Sequence, residues 1–351
     1  MIDRTLFEPL DVRTFSRVER SPNTSQHASF KRQWPGSYLE AGFNGSRVFF
    51  EVGEGDVHIK ISVDGQEIHS LIKPPIGVYE VSGLSNVDHV VRIDILNESQ
   101  VAPTTFGPIF GQPMQTTDAW RERPVQLEFI GDSHTVGYAN TSTDRSCTPD
   151  TIWRTTNTSL GIAGQLSEAL NADYQVNAVS GRGVVRNYGG GTDPTIPELY
   201  NYVLFDQKSR AEKNKWEPDI VFIGIGTNDF SISLQADEHW SNRDALRNEY
   251  VRQYMTFIKR LRQRYSRAHI VIWIAADPAS EQYIGSQTVV ANLRSGGETR
   301  IDFVPITGLS MAACDWHPTT TDAAQIVAEF LALIDQNEIL AVSEHSLSLD
   351  N

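Results

Sequence analysis

Asp219-Ile220-Val221-Phe222-Ile223-Gly224-Ile225 is an unbroken apolar run that leads into Gly226-Thr227-Asn228-Asp229. A strand apolar at nearly every residue, rather than at alternate ones, is buried on both faces, as in a parallel sheet covered by helices. His269-Ile270-Val271-Ile272-Trp273-Ile274 repeats the pattern, and Val125 to Ile130 and Asp173 to Val179 supply two further short strands. Helical spacing fills the intervals. Thr151 to Ala172 shows it, and Asn242 to Tyr265 steps its apolar residues Leu246, Tyr250, Tyr254, Ile258 and Leu261 by three or four. Ala323 to Ile334 reads as a closing helix. Strands alternating with helices predict an α/β/α domain with a parallel sheet over residues 125–351. Such a sheet carries its working residues on loops at the carboxyl ends of the strands.

Upstream the period changes to two. Arg47 to Val52, Val57 to Val63, Gly77 to Val81 and His89 to Leu96 alternate as half-buried strands. Asn44-Gly45, Gly53-Glu54-Gly55-Asp56, Asp64-Gly65 and Lys73-Pro74-Pro75 separate them, and Asp64-Gly65 is a strong hairpin signal. Residues 1–110 therefore predict an antiparallel β-sandwich. Ala102-Pro103, Gly107-Pro108 and Gly111-Gln112-Pro113 read as a connector, with 111–124 as the linker. Two domains suit a chain of 351 residues.

Composition excludes several classes. Thirty Lys and Arg against forty-four Asp and Glu give a net charge of −14, which offers no net attraction to nucleic acid or an anionic membrane surface. No run approaches the roughly 20 apolar residues of a membrane-spanning helix. Met1 to Glu8 lacks a basic start and an apolar stretch, so it does not read as a secretory signal. A cytoplasmic chain, or an exported one whose signal has been removed, is expected. Cys147 and Cys314 are the only cysteines, too few for a disulfide scaffold or an all-cysteine zinc site.

Four segments fall at strand ends. In Gly131-Asp132-Ser133-His134, Ser133 is placed to act as a nucleophile and its N–H to hold an oxyanion. Gly181, in Ser180-Gly181-Arg182-Gly183, lets a bare N–H approach a ligand. Asn228 can donate its amide to an oxyanion, while Asp229 reads as a helix cap or turn former. In Cys314-Asp315-Trp316-His317-Pro318, His317 is the candidate base. If that segment is extended, Asp315 points the same way and can fix the His317 tautomer. Each block alone also reads as an ordinary turn or cap. The ordered set Ser, Gly, Asn, His does not.

That set resembles the SGNH (GDSL-type) serine esterases, over residues 125–340. More closely, the chain is similar to carbohydrate esterase family 2, through Trp34-Pro35-Gly36-Ser37 in the β-rich first domain, Ser180-Gly181-Arg182-Gly183-Val184-Val185-Arg186-Asn187, and Asp315-Trp316-His317-Pro318. The resemblance implies a jelly-roll-like sandwich joined to an SGNH domain. It implies hydrolysis of acetyl esters on xylan or related poly- and oligosaccharides, without a metal or other cofactor. It implies Ser133, His317 and Asp315 as catalytic residues and Ser133, Gly181 and Asn228 as the oxyanion hole. Two features depart from the broader pattern. Asp315 stands two rather than three residues before His317, and some family members use a backbone carbonyl in place of the acid. His134 stands where the motif has an aliphatic residue, and is either a second polar group at the site mouth or, the favoured reading, a bystander.

Trp316 is either a sugar-stacking platform or a core tryptophan. Tyr138, Trp153 and Trp240 are weaker candidates for the same platform, with the core reading favoured. Cys147 and Cys314 either pair or lie as separate small hydrophobes. An esterase or lipase for lipid or thioester acyl chains, and a non-catalytic carbohydrate-binding protein, are the alternatives. Intact Ser133, Asn228 and His317 disfavour the latter.

Overall fold

The computed structural model describes residues 7–20, 29–114, 123–212, 216–275 and 277–340. Its chain forms two compact units, Met1–Arg123 with Asn201–Ala211, and Pro124–Tyr200 with Glu212–Asn351.

In the first unit the described strands are β1 (Glu8–Pro9), β2 (Arg13–Phe15), β3 (Glu19–Arg20), β4 (Phe30–Arg32), β5 (Ser37–Val52), β6 (His58–Val63), β7 (Gln66–Ile72), β8 (Gly77–Ser82), β9 (Asp88–Ile95) and β10 (Thr104–Gln112). All their pairings are antiparallel, in the order β3-β4-β10-β5-β9-β6-β7, with β1 on β10 and β2 and β8 on β5. Strand β5 turns the corner. Leu39, Ala41 and Phe43 in its first half and Val48, Phe50 and Val52 in its second all enter one core. The parity of the buried residues flips between them. Gly45, at φ 106°, absorbs the extra residue. Asn44-Gly45, expected to separate two strands, is therefore a kink within one.

The Asp64-Gly65 turn joins β6 to β7 with positive φ at both residues, as a tight hairpin requires. Residues 102–112, expected as connector, instead supply β10. Its Gly107-Pro108 sits where the register with β5 shifts, so the missing proline N–H breaks no ladder bond. Part of the expected linker, residues 115–122, lies outside the described residues. Asn201–Ala211, expected within the second domain, belongs to the first unit, where the Trp34 indole N–H donates to the Tyr202 carbonyl (3.3 Å) and the Phe205 N–H to Gln33 (2.8 Å).

The second unit is the α/β/α layer. Its parallel sheet comprises β11 (Val125–Gly131), β12 (Ala172–Ala178), β13 (Ile220–Gly224), β14 (His269–Ala275) and β15 (Ile301–Ile306), in the order β12-β11-β13-β14-β15. Its helices are α1 (Ser133–Val136), α2 (Pro149–Thr155), α3 (Ile162–Ala169), α4 (Ile196–Leu199), α5 (Thr227–Phe230), α6 (Arg243–Arg264), α7 (Glu281–Ser295) and α8 (Thr320–Gln336). The helical pattern over 151–172 is split, because Asn157 caps a 3-10 turn between α2 and α3. Helix α8 starts from a Thr319–Asp322 capping box and stacks Phe330 on Phe222 of β13 at 4.5 Å.

Strand order reverses around β11. The chain steps from β11 to β12 on one side, then to β13 on the other, and in such sheets ligands bind outside the carboxyl ends of the strands at this switch point, here those of β11 and β13. Gly131 and Gly224 end these strands side by side.

Candidate active site

Ser133 is the first residue of α1, immediately beyond β11. Asp132 caps the helix by accepting from the His134 N–H at 3.1 Å. Gly131 is required by space, since a Cβ there would lie 2.2 Å from Thr135 Oγ1 and 2.4 Å from the Gly224 carbonyl oxygen. The serine is thus held, buried, at a tight strand-to-helix turn, with its hydroxyl against the His317 ring.

His317 reaches it from the loop before α8. Its Nε2 lies 2.8 Å from Ser133 Oγ, and its Nδ1 lies 2.9 Å from the Cys314 carbonyl oxygen. A carbonyl only accepts, so Nδ1 carries the hydrogen and Nε2 is free to accept the serine proton. Burial pushes the His317 imidazole down to about 4, with the adjacent His134 acting in the same direction and the Cys314 carbonyl opposing. His134 is itself buried, its ring edge-on to His317 at 5.5 Å, and burial takes it down to about 4.

The base is therefore neutral through the mildly acidic range. The acid limb of kcat/KM is expected near pH 4, with activity lost as pH falls through that value. A limb centred near 6.5, where an unperturbed histidine titrates, would contradict this electrostatic account.

Asn228 follows β13 on α5. Its side-chain amide donates to the Arg182 carbonyl at 2.8 Å and lies 3.4 Å from Asp132 Oδ2. Those contacts bring it within one residue of both Ser133 and Gly181. Gly181 holds φ 81° in the loop after β12. Among the described residues, neither the Ser133 nor the Gly181 N–H donates to another backbone group. The structure thus gathers all four sequence blocks at the carboxyl ends of β11 and β13.

Asp315 is a correction. Its carboxylate does not meet the His317 ring; it accepts from the Tyr138 hydroxyl at 3.0 Å. The segment is not extended. Cys314–Trp316 is a 3-10 turn with Asp315 and Trp316 both left-handed, at φ 53° and 56°, so the alternation that would align Asp315 with His317 is absent. Asp315→Asn is accordingly expected to lower kcat by less than about 10-fold. Losing the acid of a true triad costs about 10⁴-fold. Steady-state kinetics on a nitrophenyl acetate distinguishes the two.

Trp316 is 63% exposed, which excludes the core reading. The Arg145 guanidinium lies over its ring at 5.8 Å. Tyr138, Trp153 and Trp240 are also not core: each is half-buried. The Tyr138 ring lies 4.3 Å from that of His317, and the Trp240 indole N–H donates to Glu249. Cys147 and Cys314 form a disulfide, with Cα atoms 5.6 Å apart.

Sequence reasoning missed one buried anchor. Asp229 is neither cap nor turn former. Its carboxylate accepts from the Val184, Val185 and Arg186 N–H groups at 2.8–2.9 Å, so it grips the loop that carries Gly181. Burial pushes this carboxyl up to about 7 against those three donors. Burial likewise raises Asp132 to about 6, opposed by the His134 N–H. Only the position of Asp229 in the turn that follows the buried strand β13 hinted at such a role.

A hydroxyl paired with a correctly tautomerised imidazole, beside the Ser133 and Gly181 N–H groups and the Asn228 amide at the switch point of a parallel sheet, can carry out acyl transfer through a covalent intermediate. Residues 129–332 match the GDSL-like Lipase/Acylhydrolase family, so the protein is a serine hydrolase of the SGNH class. Residues 22–117 match the carbohydrate esterase 2 N-terminal domain. An acetylxylan esterase/glucomannan deacetylase of Cellvibrio japonicus is 34% identical over 325 residues, 92% of this chain and 90% of that one. The chain belongs to carbohydrate esterase family 2. A carbohydrate esterase described as having divergent catalytic and non-catalytic binding functions at its active site superposes with a TM-score of 0.86 at 32% identity, covering 94% of this chain and 98% of that one. A family two carbohydrate esterase from Clostridium thermocellum, solved with cellohexaose, gives 0.77 at 25% identity, covering 93% and 99%.

Proposed function

We propose that this protein removes O-acetyl groups from xylan- or glucomannan-type poly- and oligosaccharides through an acetyl-enzyme. The observation that carries the reading is the Ser133–His317 contact at 2.8 Å with the imidazole tautomer fixed from behind. The named activity of the Cellvibrio japonicus relative supports the substrate class.

Ser133 Oγ attacks the acetyl carbonyl carbon as His317 Nε2 takes its proton. The oxyanion is met by the Ser133 and Gly181 N–H groups and the Asn228 amide. His317 then returns the proton to the departing sugar oxygen, leaving acetate esterified to Ser133. Water then attacks that ester as His317 takes its proton, and His317 gives the proton to the departing Ser133 Oγ, releasing acetate and restoring the free enzyme.

The exposed Trp316 face suits the apolar C–H face of a pyranose. Trp316→Ala is expected to raise KM for acetylated oligosaccharide about 3- to 10-fold, consistent with ~0.5–1.5 kcal/mol of ring contact, and to leave nitrophenyl acetate kinetics within about 2-fold. Equal loss on both substrates would remove Trp316 from the sugar site. The disulfide favours an oxidising, extracytoplasmic location. Chain-length preference on nitrophenyl esters tests the acyl specificity: an acetate optimum supports the proposal, and an octanoate optimum would replace it with a lipase-type activity.

A further inference from the structure

Cys314 carries two different attachments. Its side chain is bonded to Cys147, 167 residues away in sequence, and its carbonyl oxygen accepts from both the backbone N–H (3.1 Å) and Nδ1 (2.9 Å) of His317. The group that orients the base is therefore one peptide unit from a covalent crosslink. The turn it sits in needs outside support. Asp315 and Trp316 are consecutive left-handed residues without a glycine, and such backbone persists only where its surroundings over-determine it.

The support comes from the loop that ends at Cys147. The Asp315 N–H donates to the Arg145 carbonyl at 2.8 Å. The Arg145 guanidinium donates to the carbonyls of Met311 (3.0 Å) and Ser310 (2.9 Å). Asp322, at the start of α8, binds the Ser310 and Met311 N–H groups from the other side. Arg145 itself is exposed and Cys147 half-exposed, so little apolar packing holds this loop in place. The disulfide is its one covalent tie to the histidine turn.

We infer that the Cys147–Cys314 disulfide is a positioning element for catalysis, fixing the carbonyl that sets the tautomer and aim of His317. This rests on the reading of Ser133 and His317 as the catalytic pair. A bond closing so long a loop also stabilises the fold through the unfolded chain. That effect acts on melting temperature, whereas positioning acts on turnover, so the two separate. An error of about 1 Å at a catalytic group costs about 100-fold in rate.

The test compares wild type, the Cys147→Ser/Cys314→Ser double variant and Ser133→Ala, all well below their melting temperatures. The double variant is expected to lose about 10- to 100-fold in kcat with KM within about 3-fold. A low-field proton resonance from the His317 Nδ1–H is expected in wild type, and in the double variant it should broaden or move. Reduction of folded wild type with a phosphine should reproduce the kcat loss as the thiol count rises from none to two, and reoxidation should restore it. Unchanged kcat with two titratable thiols would overturn the inference. So would a loss of kcat that only accompanies loss of the circular dichroism of the fold, since the bond would then be a stability staple. Undiminished activity of Ser133→Ala would instead remove the reading of the catalytic pair on which the inference rests.

Discussion

Ser133→Ala and His317→Ala each lower kcat for acetyl-ester hydrolysis by about 10⁴- to 10⁶-fold, and the double variant falls no further. The reason is that the two side chains act as one unit. Without His317 Nε2 at 2.8 Å, the serine hydroxyl keeps its proton and is a poor nucleophile. Without the hydroxyl, the imidazole has no proton to move. Removing either removes the whole covalent route, while the oxyanion donors and the binding surface survive. Both residues sit on a well-anchored scaffold, Ser133 on a capped turn and His317 on a loop tied to α8, so the loss is expected without unfolding. Equal circular dichroism spectra and melting temperatures within a few degrees, alongside stopped acetate release, check this. Losses that multiply in the double variant would show two independent contributions and contradict the paired mechanism.

Asn228→Ala lowers kcat by about 10²- to 10³-fold, with KM near its wild-type value. A side-chain donor aimed at an oxyanion contributes about 3 kcal/mol, and contributes it mainly once the charge has developed. In the free enzyme the amide is occupied by the Arg182 carbonyl, which keeps it beside Gly181. Asn228→Asp provides the sharper contrast. It preserves shape but replaces the donor with a carboxylate facing the developing charge and the nearby Asp132. It is expected to be at least as damaging as alanine. An Asn228→Asp enzyme with near-normal kcat would take Asn228 out of the oxyanion hole.

The sheet of the second unit was legible because parallel strands are apolar throughout, so Ile220–Gly224 and His269–Ala275 announce themselves. Strand β15 and helix α7 carry no such signal. Ile301–Ile306 contains Asp302 and Pro305, and Glu281–Ser295 buries a stripe broken by Gln282, Gly285 and Ser286. Ser133, Gly181, Asn228 and His317 could be read because each follows directly on a strand end or precedes a helix. Asp315 could not. Its fate depends on two non-glycine residues adopting left-handed backbone, which no local propensity favours. The Cys314 carbonyl is equally silent in sequence, because any residue has one. Asn201–Ala211 gave no sign of joining the first unit, since composition does not change at Tyr200 or Glu212 and the decisive partner, Trp34, lies far away in sequence.

The central claim is that the Ser133–His317 site acts on acetylated carbohydrate. Acetate release from acetylated xylo- and manno-oligosaccharides, measured for wild type beside Ser133→Ala, tests it most directly. Release by wild type that disappears in Ser133→Ala is expected. No release from either sugar series by an enzyme that still hydrolyses longer acyl esters would contradict the claim and leave a serine hydrolase of another specificity.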